Sequence, residues 1–441
     1  MSVGWPDPAF RVSPTADQRE RGHVALISRK SLAAHRYDLW LDELGQTCVL
    51  YVGGSARDEA FFNSVRDDRY AACRTVPDLD EQALVDALLR DHAEHPFTAI
   101  VALHEDDIVL SGELRERLDL PGQRAESAHA YRDKLVMKRH VTRSAVACPR
   151  FAAVNSPRDL VTFADDVGGP VVVKPRWGSG ATGVVRLDPA ACSSYAPADG
   201  WEQLIAEEWI DGPMISVDGL MVAGRPVALM VGRYTETCLT SLGSLVPHGI
   251  LQADRADPLF AAALAVTADV IAALPPAPEL RPFHAEFFDT PSGLVFCEIA
   301  ARTGGGNLFL LMRNALGIDP EYAACLGQAG VRLALPDELV MPRDIGVFGD
   351  VVIPRGRSAL ARPSSDHALA GVLGSTFRDE ALAYGAATAV SDIAFDALLG
   401  AEDHARLRLL YDQVVDWVAR AQVPSDHATT TDRSQDQCKP A

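Results

Sequence analysis

The 441-residue sequence has no C-x-x-C pair and no cysteine–histidine spacing of a metal-binding kind. Its eight cysteines, at 48, 73, 148, 192, 238, 297, 325 and 438, are scattered, which predicts reduced, mostly buried thiols and a cytoplasmic location. No apolar run approaches the roughly 20 residues that cross a bilayer. The N-terminal MSVGWPDPAFRVSPTADQRERG has no hydrophobic core for export. Neither a membrane protein nor an exported one is expected. Lys and Arg form no cluster and the formal charge is −19, so the positive footprint that a nucleic-acid backbone requires is missing. A local basic pocket for a nucleotide is still allowed. There is no internal repeat.

What is present is ordinary for an enzyme. With 48% hydrophobic and 23% charged residues, and 33 glycines and 28 prolines spread along it, the chain is expected to be a mixed α/β protein of two to four structural units. Residues 1–21 are read as a flexible lead-in and 424–441, polar and without periodicity, as a disordered tail. From residue 22 strand-like runs (HVALIS, TCVLYVGG, PFTAIVALHE) alternate with helical ones (SLAAHRYDLWLDELG, DEQALVDALLRDHAEH), the pattern of a small parallel α/β sheet. A helix is expected over Ala128–Val141 and a strand over Val146–Val154. After Pro170 the strands close up: PVVVKPRW and TGVVRLD flank a glycine loop, LIAEEWI follows, and MISVDGLMV and PVALMVGRY are joined by a short turn. An apolar helix, Pro258–Leu274, leads to FHAEFFDTPSGLVFCEIA, whose turn Asp289–Gly293 sets Glu286 and Glu298 opposite each other in a hairpin. A further strand–loop segment from Ile345 ends in an amphipathic helix, Ala401–Ala421.

The stretch Gly178-Ser179-Gly180-Ala181-Thr182-Gly183 has the form G-x-G-x-x-G. A dinucleotide fingerprint needs a helix after the glycines, and VVRLDP is not one. A P-loop needs Lys and Ser or Thr after its last glycine, where this chain has Val184 and Val185. A glycine-rich hairpin over ATP phosphates has strands on both sides and fits. The chain nevertheless lacks the HRD and DFG motifs of a protein kinase, and Lys174 precedes the loop. The loop therefore suggests ATP without a kinase fold; a flexible hairpin is its plain alternative.

Taken together, six segments in order resemble the ATP-grasp superfamily: RDK at Arg132–Lys134, VVVKP at Val171–Pro175, the glycine loop, EEWIDG at Glu207–Gly212, HAEFF at His284–Phe288 and EIAAR at Glu298–Arg302. HAEFF followed by CEIAARTGGGN is most similar to the carboxylate–amine ligases of the L-amino acid (dipeptide) ligase type, and ALHEDDIVLSGELRERLDLPG resembles their N-terminal domain. The resemblance implies an α/β (α+β) ATP-grasp fold. It would comprise a Rossmann-like pre-ATP-grasp domain at 22–127, an ATP-grasp domain at 128–340 and a C-terminal α/β extension at 341–423. Two α+β subdomains would enclose ATP, the glycine-loop lid lying at about 169–235.

It also implies chemistry: ATP, with Mg2+ or alternatively Mn2+, would activate a carboxylate as an acyl phosphate for attack by an amine, both substrates being small molecules and, by the resemblance, amino acids, in a homodimer. Lys134 and Lys174 would hold phosphates, with Gly178, Ser179, Gly180 and Gly183 letting backbone approach them. Glu207, Glu208, Trp209 and Ile210 match the adenine-binding linker. Glu286 and Glu298 are the metal candidates, since paired carboxylates without a cation repel. Arg302 would neutralise the transferred phosphoryl group, acting with Lys174 and Glu298 in catalysis, and Gly304, Gly305 and Asn307 would meet a substrate carboxylate. For the lysines a surface ion pair is the plain alternative, and for the glycines after Arg302 a simple turn. Two positions depart from the common family pattern: Ala300 replaces an asparagine metal ligand, leaving water or Asn307, and Met214 replaces a ribose-binding glutamate, leaving Asp218. His284 is read as structural, and Arg355, Arg357 and Arg362 as facing solvent. Other ATP-grasp chemistry, of carboxylase or purine-ligase type, and ATP binding without catalysis are the competing readings.

Overall fold

A computed structural model describes residues 22–30, 32, 35–42, 47–54, 70–244, 246–331, 333–335, 338–354, 359–360, 369–377, 392–420 and 422–423. The expected lead-in and tail, together with Cys438, Arg355, Arg357 and Arg362, lie outside the described residues. The chain divides into two compact units, the first made of Met1–Gly178, Gly183–Arg233 and Ala253–Asp344, the second of Ser179–Thr182, Tyr234–Gln252 and Ile345–Ala441.

The first unit opens with β1 (His23–Ser28), β2 (Thr47–Val52), β3 (Tyr70–Thr75) and β4 (Ala99–Ala102), an all-parallel sheet in the order β3-β2-β1-β4. Its strands are apolar on both faces because both are covered. Val24, Leu26, Leu50 and Val101 pack on one side with Tyr37 and Cys325. Ala25, Ile27, Val49 and Ile100 pack on the other with Leu84 and Leu88 of α1 (Glu81–Glu94). Each buried aliphatic side chain of this kind contributes roughly 1.5–3 kcal/mol. The strand β3 escapes the sequence pattern because it is half exposed and polar at its end, where Arg74 pairs with Asp91.

The helix expected over Ala128–Val141 is broken in two, Ala125–Ala130 and α2 (Lys134–Val141). Asp133 is the reason: its carboxylate accepts from the Leu135 and Val136 N–H groups, a side-chain cap that starts a new helix. An antiparallel sheet follows, β5 (Phe151–Val154), β6 (Val171–Pro175), β7 (Val185–Leu187) and β8 (Leu204–Glu208), in the order β5-β8-β6-β7.

The third sheet of this unit holds β9 (Met214–Val222) and β10 (Arg225–Tyr234) beside the hairpin β11 (Arg281–Thr290) and β12 (Gly293–Ala300). The order is β12-β11-β9-β10, antiparallel throughout. Val217, Leu229, Phe283 and Phe287 form its core with Phe260, Ala263 and Val270 of α3 (Pro258–Ala273). Gly219 in β9 is obligatory, since a Cβ there would lie 2.1 Å from the Ala228 carbonyl oxygen. After β12, the segment 301–307 leads into α4 (Leu308–Leu316).

In the second unit β13 (Val347–Pro354) and β14 (Val372–Phe377) flank β15 (Ile393–Ala401), all antiparallel, and α5 (His404–Arg420) lays Leu407, Tyr411, Val414 and Val418 on them. His248 is buried here, its Nδ1 2.8 Å from the Ser241 hydroxyl and its backbone bonded in both directions to Val352. Burial pushes this imidazole down to about 4, so the folded state holds it neutral. Its contribution is present above the ordinary histidine value and is lost as pH falls toward 4. A shift of this size corresponds to an acid-side loss on the order of 3 kcal/mol. Chemical denaturation as a function of pH should show it between pH 6.5 and 4, and His248→Asn should flatten that limb.

Candidate nucleotide and metal site

The geometry begins at the Asp133 cap. Besides starting α2, Asp133 receives the Arg176 guanidinium, tying the helix N-terminus to the end of β6. Its neighbours point elsewhere: Arg132 pairs with Glu105 at 3.3 Å, and Lys134, 7% exposed, donates to the Gly178 carbonyl at 2.6 Å. Lys134 also lies 3.4 Å from Glu298 on β12. One turn later on the same helix face, Lys138 is fully buried. It donates to the Cys297 carbonyl at 2.7 Å and stands 3.4 Å from Glu207.

Glu207, at the end of β8, is held from its other side by Lys174 of β6 at 3.0 Å. Antiparallel pairing puts Lys174 beside Ile205, which brings the two side chains together across the strands. Burial alone would depress Lys174, yet the Glu207 carboxylate outweighs it and holds the ammonium above its usual value. The bland alternative of exposed surface lysines is thus excluded for Lys134 and Lys174. Glu207 is enclosed between two cations, whereas the Glu208 carboxylate accepts from the Arg150 N–H at 3.2 Å. Trp209 lies under the Arg186 guanidinium, 5.2 Å from ring centre to carbon, and Ile210 is half-buried.

Glu286 and Glu298 are direct partners across β11 and β12. Together with the Cys297 thiol they bring ligand atoms within 4.8 Å of one another. Withdrawal from water would raise Glu298, but Lys134, Lys174, His284 and Arg302 hold it down at about 2. Burial pushes the Cys297 thiol up to about 12. His284 sits between Asp218, at 2.8 Å, and Glu286, at 3.5 Å; burial would lower it, but Asp218 and then Glu286 raise it to about 10, so it is an imidazolium. Asp218 is therefore not a ribose ligand as expected, because it is wholly buried in that pair. Hard carboxylate oxygens facing each other suit magnesium, which takes one or two carboxylates and completes its shell with water and phosphate.

Arg302 is gripped through Nε by Glu105, and its Nη1 donates to the Thr303 carbonyl at 2.9 Å. Glu105 thus joins Arg302 to Arg132. Gly304 packs against the Asp218–His284 pair, where a Cβ would lie 2.9 Å from His284 Nδ1, while Gly305 has open space and Asn307 is buried at the start of α4. In the glycine loop, Gly178 offers its carbonyl to Lys134, Gly183 has φ +69° against Pro175, and Ser179–Thr182 belongs to the second unit. Gly180 within that segment has φ +59° and the Thr182 N–H donates to Ser179 at 3.2 Å.

The chain is 28% identical over 233 residues to the L-arginine-specific L-amino acid ligase of Bacillus subtilis, a match covering 51% of this chain and 55% of that enzyme. The match therefore spans little more than half of that relative's length. A crystal structure of L-amino acid ligase from Bacillus licheniformis superposes with a TM-score of 0.67 at 17% identity, covering 91% of this chain and 98% of that one. The carboxyaminoimidazole ribonucleotide synthase of Aspergillus clavatus, complexed with ATP, gives 0.64 at 14% identity over 91% and 99%. The chain has the ATP-grasp fold. Its relatives include ATP-grasp ligases. No family model matches it.

Lys138 and Glu105 are the site residues that the sequence reading missed. A signal for Lys138 existed: the chain has only five lysines, at 30, 134, 138, 174 and 439, in a total of 41 Lys and Arg. In so arginine-rich a chain, Lys138 one helical turn after Lys134 stands out. Glu105 has no such signal, since its partners are far along the chain. Lys138→Met should leave Glu207 with one cation and the Cys297 carbonyl without a donor. Denaturant unfolding should show a loss of about 2–3 kcal/mol, whereas Lys30→Met should lose less, since Lys30 is partly exposed and His35 remains to pair with Glu321.

Proposed function

We propose that this protein is an ATP-dependent carboxylate–amine ligase that joins amino acids through an acyl phosphate, releasing ADP and phosphate. The observation that carries the reading is Glu298 on β12, which faces Glu286 and is governed electrostatically by Lys134, Lys174, His284 and Arg302. Phosphoryl transfer needs this combination: fixed cations for the phosphate oxygens and carboxylates for a metal. The similarity to L-amino acid ligases supports the substrate class.

In this reading Lys134 and Lys174 bind phosphate oxygens, and Glu207 with residues 208–210 borders the base. The loop residues Gly178, Ser179, Gly180 and Gly183 would offer backbone to the phosphates. Glu286 and Glu298 would hold Mg2+, which when bound neutralises and aligns the phosphate oxygens. Arg302 receives the charge developing on the transferred phosphoryl group, its planar fork matching two oxygens at once. Gly304, Gly305 and Asn307 border the substrate carboxylate. His284, already an imidazolium between two carboxylates, offsets negative charge beside Glu286 and does not act as a base. The reading includes the domain limits 22–127, 128–340 and 341–423, a homodimer and a cytoplasmic location. The scattered free cysteines favour that location. No helix among the described residues is long and apolar enough to cross a membrane.

Mg-ATP offered with amino acids singly and in pairs is expected to yield ADP only with a productive pair, together with a dipeptide mass. ADP release driven by bicarbonate or by a purine ribonucleotide instead would replace this reading with other ATP-grasp chemistry. Arg302→Lys should lower kcat by about 100-fold or more, with a smaller change in the KM for ATP.

A further inference from the structure

We propose that Cys297 is a third protein ligand of the ion held by Glu286 and Glu298, giving this site a specific capacity for thiophilic divalent ions such as cobalt(II) and zinc(II). The inference shares with the proposed function only the assignment of the two glutamates to a metal.

Successive residues of a strand point to opposite faces, so Cys297 should turn its back on Glu298. The pairing of β11 with β12 is interrupted at this point: Glu286 is opposite Glu298 and Phe287 is opposite Phe296, leaving Cys297 as the extra residue of a bulge. A bulge re-aims a side chain. Here it brings the Cys297 Sγ to the carboxylates, with one ligand atom from each of the three residues within 4.8 Å of the others. Ligands around one ion, with metal–sulfur near 2.3 Å and metal–oxygen near 2.0–2.2 Å, are separated by roughly 3.5–4.4 Å. Small side-chain rotations close the remaining gap.

The thiol is also available. Cys297 is 92% buried by its 8% exposure, is in no disulfide, and its Sγ makes no hydrogen bond among the described residues. Its own carbonyl is fixed by Lys138 at 2.7 Å, which anchors the bulge from behind. Two carboxylates alone are a hard donor set that suits magnesium. Adding a sulfur donor changes the selectivity, because soft thiolate favours zinc and cobalt over magnesium. On binding, the Sγ–metal bond forms as the S–H bond breaks, and its proton leaves to solvent; nothing is oxidised or reduced.

The test uses full-length, nucleotide-free protein titrated with cobalt(II) in magnesium-free buffer. The expected result is one equivalent of cobalt and a near-ultraviolet sulfur-to-cobalt charge-transfer band. In both Cys297→Ser and Cys297→Ala the band should vanish while cobalt is still bound, and zinc affinity measured against a chelating dye should fall by about tenfold or more. Circular dichroism on each variant identifies a misfolded one, and the other then decides. Cobalt bound to the wild type without the band, no cobalt bound at all, or a band that survives both substitutions and so belongs to another cysteine would each overturn the proposal. Cobalt bound without the band would leave the ligase reading standing, and a sound band with no ADP release from any pair would leave this one standing.

Discussion

Three buried lysines and the carboxylates that neutralise them govern this fold. An ammonium group taken out of water without a partner costs several kcal/mol, so the burial of Lys134, Lys138 and Lys174 requires Glu298 and Glu207 to be where they are. The partners come from different sheets, β8 and β12, and the lysines from α2 and β6. The ion pairs therefore fix the relative placement of these elements within the first unit. A polyanionic nucleotide with its metal brings both signs of charge at once. Under the proposed reading, phosphates would take over the lysines as the ion takes over the carboxylates. Such a site can stay folded with or without its ligand.

The backbone supplies the aim. Without the Asp133 cap, one continuous helix would carry Lys134 in mid-helix rather than at its first position. Lys138 follows one turn later and reaches both the Cys297 carbonyl and Glu207, so the helix holds the bulged strand and the end of β8 together. The same bulge keeps Glu286 and Glu298 opposed while shifting Cys297 beside them.

Much of this was legible in the sequence, for identifiable reasons. Parallel strands covered on both faces read as unbroken apolar runs, and the Asp289–Gly293 turn was enough to bring Glu286 and Glu298 to the same end of one hairpin, although their direct opposition comes from the bulge. The ordered motifs were enough to indicate the ATP-grasp fold. What stayed hidden was a local competition at one position and, elsewhere, tertiary pairing. The split of the helix at Asp133 depends on a local cap that competes with an otherwise helical pattern. Asp218 was misread because its pairing with His284 is set by the β9–β11 register, not by spacing. Cys297 looked like a core thiol because period-two alternation assigns it to the wrong face, and only a bulge, invisible in composition, reverses that.

The Glu105–Arg302 pair shows where specificity can enter. The fold itself is common to amino acid ligases and purine-type synthases and does not distinguish their substrates. Glu105 belongs to the turn after β4, in the N-terminal sheet, yet it holds Arg302 by its Nε and Arg132 by the same carboxylate. Arg132 in turn reaches the Gly178 carbonyl at 3.4 Å, as Lys134 does at 2.6 Å. If Arg302 acts as proposed, an acid activated beside it would compete with Glu105 for the guanidinium. Release of Glu105 would also free Arg132 and weaken its hold on the first residue of the glycine loop. One carboxylate and two arginines thus join Arg302 to the carbonyl of Gly178.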